Sequence, residues 1–133
     1  MSVTTIGAHV CAGGVPRLWK TPAVEEAGAR KLVVFVPREA LDDVREALFA
    51  AGAGRIGDYE HCSWYTQGTG TFRGGGTTNP AVGERGREER VQELRLETVY
   101  PVEREVDVVR ALRAAHPYEE PAFDLYPLVR PPT

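Results

Sequence analysis

An α/β chain (α+β in the arrangement of its pieces), with one strand–helix–strand unit used twice, is the fold class this sequence predicts. Two observations predict it. The first is a register: displacing the 133-residue sequence by 64 positions lays Leu32 on Leu96, Pro37 on Pro101, Glu39 on Glu103 and Asp43-Val44 on Asp107-Val108. It continues with Ala47-Leu48 on Ala111-Leu112 and Ala50-Ala51 on Ala114-Ala115. The second is a change of period, from strand-like to helix-like, that follows the proline in each copy. Two tandem copies make β-α-β-β-α-β, the split-βαβ or ferredoxin-like architecture. It has an antiparallel four-stranded sheet, and right-handed crossovers put both helices on one face. The first strand of each copy is then central, the second is an edge, and a long loop joins the second and third strands.

The elements follow in order. Lys31–Val36 is a β-branched run that fits a buried strand, and Pro37 ends it. After Arg38, Leu41, Val44, Leu48 and Ala51 recur at helical spacing with Asp42, Asp43, Arg45 and Glu46 between them, and Gly52 and Gly54 stop the helix. A second strand is expected over Ile56–Tyr65, with a turn or bulge at Gly68 and Gly70, and Gly74–Pro80 is a loop by composition. The charged stretch Glu84–Arg90 reads as solvated, and Val91–Tyr100 as the third strand. A second helix after Pro101 is expected to turn Val102, Val106, Val109, Leu112 and Ala115 to the core, and His116-Pro117 ends it. Ala122–Val129 is the last strand. Residues 1–30 read as an extension with one short helix over Pro22–Ala27, 31–129 as the domain, and 130–133 as a tail. The two helix exits, Gly52–Tyr59 and His116–Phe123, are expected at one end of the sheet, feeding opposite edges.

Composition narrows the function classes. A hydrophobic fraction of 42% and a charged fraction of 26% are ordinary globular values. A net charge of −3 argues against nucleic acid and anionic membranes, which need a basic face. Two cysteines, Cys11 and Cys62, are too few for a disulfide framework, so a reduced, cytoplasmic protein is the expectation. No apolar stretch has the length of a signal peptide's core or of a membrane span.

Three segments could carry chemistry. In His116-Pro117-Tyr118-Glu119-Glu120-Pro121, His116, Glu119 and Glu120 offer nitrogen and oxygen ligands to a divalent metal, zinc or copper. The plainer alternative is a rigid connection, with His116 at the negative end of a helix dipole. In the stretch after the first helix, Gly54, Arg55, Gly57, Asp58 and Tyr59 could let a ligand approach the backbone while Arg55 grips an anion. The alternative there is helix termination and a tight turn, since no helix N-terminus follows to supply a dipole. His61 and Cys62 are a soft-metal pair by chemistry, but neighbours on a regular strand point to opposite faces. His9 and Cys11 alternate in the extension without evident partners. No Ser-His-Asp constellation or His-x-x-x-His pair is present.

Several of these pieces together resemble a known family. They are Ala50–Tyr59, Cys62-Ser63-Trp64, Gly70-Thr71-Phe72-Arg73, Asn79-Pro80 with Gly83 and Gly86, and Ala115–Ala122. The chain resembles the CutA- and PII-like domain inserted in YqfO-type members of the Nif-three-like family. That resemblance implies a ferredoxin-like fold and a homotrimer. Full-length members are similar to dinuclear metal hydrolases, some labelled GTP cyclohydrolase homologues, whose metal ligands lie in the halves flanking the insert. No catalytic residue is therefore carried over. The Gly74-Gly75-Gly76-Thr77-Thr78 run departs from the apolar residue the family has in that loop.

The expected function is a non-catalytic trimeric module that binds a small ligand or a divalent metal and tunes a partner. The alternatives are a metal-dependent hydrolase of a nucleotide or phosphate ester, for which three histidines are a thin supply, and a purely structural protein-interaction domain.

Overall fold

The computed structural model describes residues 28–76, 84 and 86–129. Its elements are β1 (Ala29–Val36), α1 (Leu41–Ala50), β2 (Ser63–Arg73), β3 (Glu88–Pro101), α2 (Glu105–Ala115) and β4 (Phe123–Pro127). The four strands form one sheet in the order β2-β3-β1-β4, every neighbouring pair antiparallel. This is the duplicated β-α-β-β-α-β arrangement, with the first strand of each unit central. Its sequence register reappears in the backbone. Pro37 and Pro101 hold nearly the same extended angles (φ −67°, ψ 150° and φ −73°, ψ 142°), and each leads through one 3-10 turn into its helix.

Both helices lie on the face that β1 lines with Leu32, Val34 and Val36 and β3 with Leu94, Leu96 and Tyr100. Val44 and Leu48 of α1 meet Val108 and Leu112 of α2 over them. The four helix residues are two repeat-related pairs, and all four are fully buried. Burying a residue of this size stabilises the fold by about 1.5–3 kcal/mol.

Four expectations need correcting. The second strand begins at Ser63 rather than Ile56, because Ile56–Cys62 is taken up by turns that carry the chain from α1 to the sheet edge. Gly68 and Gly70 lie inside β2, paired with Glu93 and Val91, and make no turn; the missing Cβ at Gly70 leaves the space the Glu93 side chain occupies. On α2 the core position is Val108, while Val106 is 67% exposed. The 64-residue register, which lays Val108 on buried Val44, was the better guide than a free-standing period count.

The fourth correction concerns the helix exits. The Gly54 N–H donates to the Val99 carbonyl, opposite Lys31 near the start of β1, whereas His116 bonds Phe35 near its end. The exits therefore lie at opposite ends of the sheet. Antiparallel central strands invert the second unit end for end, so a shared end was never compatible with this topology. The Pro22–Ala27 helix, His9, Cys11, most of the Gly74–Pro80 loop and the 130–133 tail lie outside the described residues. Among the described residues no helix is long and apolar enough to cross a membrane.

Candidate functional site

The α1 exit is built by its glycines. Gly54 (φ +85°) is buried, donates its N–H to Val99 at 2.7 Å and accepts from the Cys62 N–H at 2.8 Å, clamping the loop to β3. Both its backbone groups are thus used inside the protein. Ile56 and Tyr59 exchange two backbone hydrogen bonds of 3.0 and 2.9 Å across Gly57-Asp58, and Gly57 (φ +58°) takes the positive φ that opens such a two-residue turn. Arg55, Gly57, Asp58 and Tyr59 are all exposed. Beside this loop a cleft of about 180 Å³ is lined by Gly28, Ala29, Gly52, Arg55, Val99, Tyr100 and Pro101.

His61 sits in the left-handed region (φ +58°) with its ring stacked on Phe49 at 4.7 Å. Arg45 lies over both Phe49 and Tyr65, extending the stack of flat groups from His61. Cys62 is a half-buried free thiol at the entry to β2, and its carbonyl accepts from the Thr98 hydroxyl at 2.8 Å. The regular-strand alternation invoked for the His61-Cys62 pair does not apply, since both precede the strand.

At the other exit His116 is 6% exposed, and both ring nitrogens are occupied. Nε2 lies 2.8 Å from the Phe35 carbonyl, and Nδ1 accepts from the Tyr118 N–H at 3.1 Å. That pattern requires the neutral tautomer with its proton on Nε2. Burial pulls the imidazole below the usual histidine range, only partly opposed by the bond to Phe35. Glu119 and Glu120 follow on the same connection but do not converge with the ring: among the described residues no three His, Cys, Asp or Glu side chains come together as a metal site. Of the sequence-predicted site residues, the structure unites Gly54 with Cys62 and leaves His116 at the far end of the sheet.

Acidification has a definite expected sign here. With the folded-state pKa of His116 below the unfolded value of about 6.5, the unfolded chain takes up the proton first as pH falls. The stability contribution is complete above that value and shrinks below it. Urea midpoints should drop between pH 7.5 and 5.5, and His116→Gln should remove that part of the drop; an identical slope in the variant would refute the assignment.

Two groupings escaped the sequence reading. The Tyr100 hydroxyl donates to Glu105 Oε1 at 2.7 Å, and Arg30 reaches the same oxygen at 2.7 Å. The Tyr100 bond, and more weakly Arg30, hold the Glu105 carboxyl below its ordinary range against opposing burial. At the other end, burial and the charges of Glu93 and Glu39 push the Tyr118 phenol up. No spacing rule ties Arg30 to Glu105, 75 positions away.

These features define a module of ferredoxin-like fold with two differently built helix exits. The CutA protein of Archaeoglobus fulgidus, described as a periplasmic divalent cation tolerance protein, superposes with a TM-score of 0.58 at 16% identity, over 77% of this chain and 86% of that one. At that identity the likeness is one of fold. The Bacillus cereus protein related to NIF3 matches with a TM-score of 0.65 and 46% identity, over 77% of this chain and 26% of that one. In sequence, a GTP cyclohydrolase 1 type 2 homologue of Mycobacterium tuberculosis is 52% identical over 111 residues, which is 84% of this chain and 29% of that protein. That of Halalkalibacterium halodurans is 53% identical over 98 residues, 74% of this chain and 26% of that protein. No family model matches the chain. The chain is related to the NIF3-type GTP cyclohydrolase 1 type 2 homologues, matches a CutA-like portion of them consistent with an inserted domain, and spans under a third of the length of these three relatives.

Proposed function

We propose that this chain is a non-catalytic, trimeric module that holds a small ligand and tunes a partner. One observation carries the assembly. Among the described residues the 11-residue strand β2 pairs only with β3, and it exposes Trp64 (60%) and Tyr65 (48%) beside Ile56 and Tyr59 of the preceding loop. A long edge with unpaired backbone groups and exposed aromatics is a template for another chain, and closure into a ring removes it. The fold shared with CutA supports three copies. The exposed Arg55 loop supports a small ligand in preference to a metal, because His116 already uses both nitrogens. A hydrolase reading draws only on the names of the longer relatives.

The test is native mass. The full chain should run at three times 14.6 kDa, and Trp64→Asp, at an exposed position, should yield folded monomer. A wild-type monomer at micromolar concentration would sink the assembly. Calorimetry with zinc and copper decides the metal: no heat is expected from either ion, and tight uptake would overturn that part.

A further inference from the structure

We infer that the cleft at the α1 exit is a binding site for a small oxyanion, the phosphate or carboxylate group of a metabolite, held by Arg55. The inference deepens the ligand-holding part of the reading above and rests on it. Its basis is a comparison of the cations at that end of the sheet. Arg30 is committed to Glu105 at 2.7 Å. Arg104 donates to the Ala51 carbonyl at 3.1 Å and pairs with Asp107 at 3.6 Å, so it fastens the helix exit. Arg55 lines the cleft, and among the described residues neither its guanidinium nor its backbone N–H has a partner.

The cleft's other chemistry points the same way. Among the described residues no carboxylate lines it. Glu105, bonded to the lining Tyr100, is satisfied by that hydroxyl and by Arg30, so its charge is already paired. Ala29, Val99 and Pro101 add apolar side chains to the wall, against which the stem of such a metabolite can rest while the guanidinium makes a charge-assisted hydrogen bond to its anionic group. At about 180 Å³ the space is below the range of drug-sized pockets and fits one anionic group with a short stem. The walls are also fixed. Gly54 is bonded to Val99, and Gly52 packs so closely on Arg104 that a Cβ there would lie 2.8 Å from Nε.

The experiment is a titration of the full chain with inorganic phosphate and, separately, with propionate, followed by amide NMR. The Gly52, Ala53 and Arg55 resonances should move and saturate with at least one of them. Arg55→Gln should weaken that binding at least about tenfold. Arg38→Gln, whose side chain bonds Gln67, should leave it unchanged. Saturation by phosphate alone assigns phosphate esters, and by propionate alone carboxylic acids. Silence of these amides with both anions to about 20 mM, or equal affinity in Arg55→Gln, overturns the site. Native mass of the same samples separates the two claims: a monomer that binds through Arg55 refutes only the assembly, and a trimer that does not bind refutes only the site.

Discussion

Replacing His116 by alanine is expected to lower the unfolding free energy by about 3 kcal/mol, with or without a chelator present. The ring joins three parts of the chain. It terminates α2, donates from Nε2 to the Phe35 carbonyl 81 residues away, and accepts at Nδ1 from the Tyr118 N–H. Truncation orphans that carbonyl and that N–H, each worth about 1–3 kcal/mol when buried and unpaired, less whatever water enters to satisfy them. A metal ligand would behave differently. Zinc would stabilise the wild type by mass action, and the variant would lose that increment while keeping its metal-free stability. Urea melts of both proteins, with zinc and with chelator, separate the cases: equal losses in both media support the staple, and a loss confined to zinc refutes it.

The sequence made the fold legible because the fold is said twice. Leu48 on Leu112 and Pro37 on Pro101 agree in period, in punctuation and in register, and such agreement across levels marks a specified structure. The second copy read alone misled. Val106 and Val109 satisfy a helical period as well as Val108 does, and it is the repeat register, with the packing of α2 over Leu96 and Tyr100, that selects Val108. The start of β2 was illegible for another reason. Ile56 and Tyr59 look like strand residues, and they do pair, but with each other across a local turn.

The sites were legible as motifs and not as roles. His116, Tyr118 and Glu119 stand out by type and spacing, yet what His116 does depends on the Phe35 carbonyl, a backbone group that no side-chain pattern reports. Arg55 is the reverse case. Its value as a candidate comes from the ion pairs that occupy Arg30 and Arg104, and the Arg30 pair exists only once the sheet has brought Glu105 alongside.

Gly54→Ala should cost about 3 kcal/mol, roughly 10 °C in Tm for a chain of this size, while Gly57→Ala should cost about 1 kcal/mol. Both glycines have positive φ, +85° and +58°, so both variants carry the left-handed penalty of about 1–2 kcal/mol. They differ in what a methyl group meets. At Gly57 nothing lies within 4 Å, whereas at Gly54 it falls 2.6 Å from two carbons of the Phe49 ring and 3.2 Å from the Cys62 nitrogen. The ring cannot retreat without leaving its stack on His61 and its contact with Arg45, and overpacking of that kind adds about 1–3 kcal/mol. Thermal melts of the two variants side by side make the comparison. A large gap shows the α1 exit to be a rigid platform, with the Gly54–Val99 bond as one fixed wall of the Arg55 cleft. Equal, small losses would mean that Phe49 yields freely, and a cleft whose wall yields could not present one unpaired guanidinium to an anion in a constant geometry.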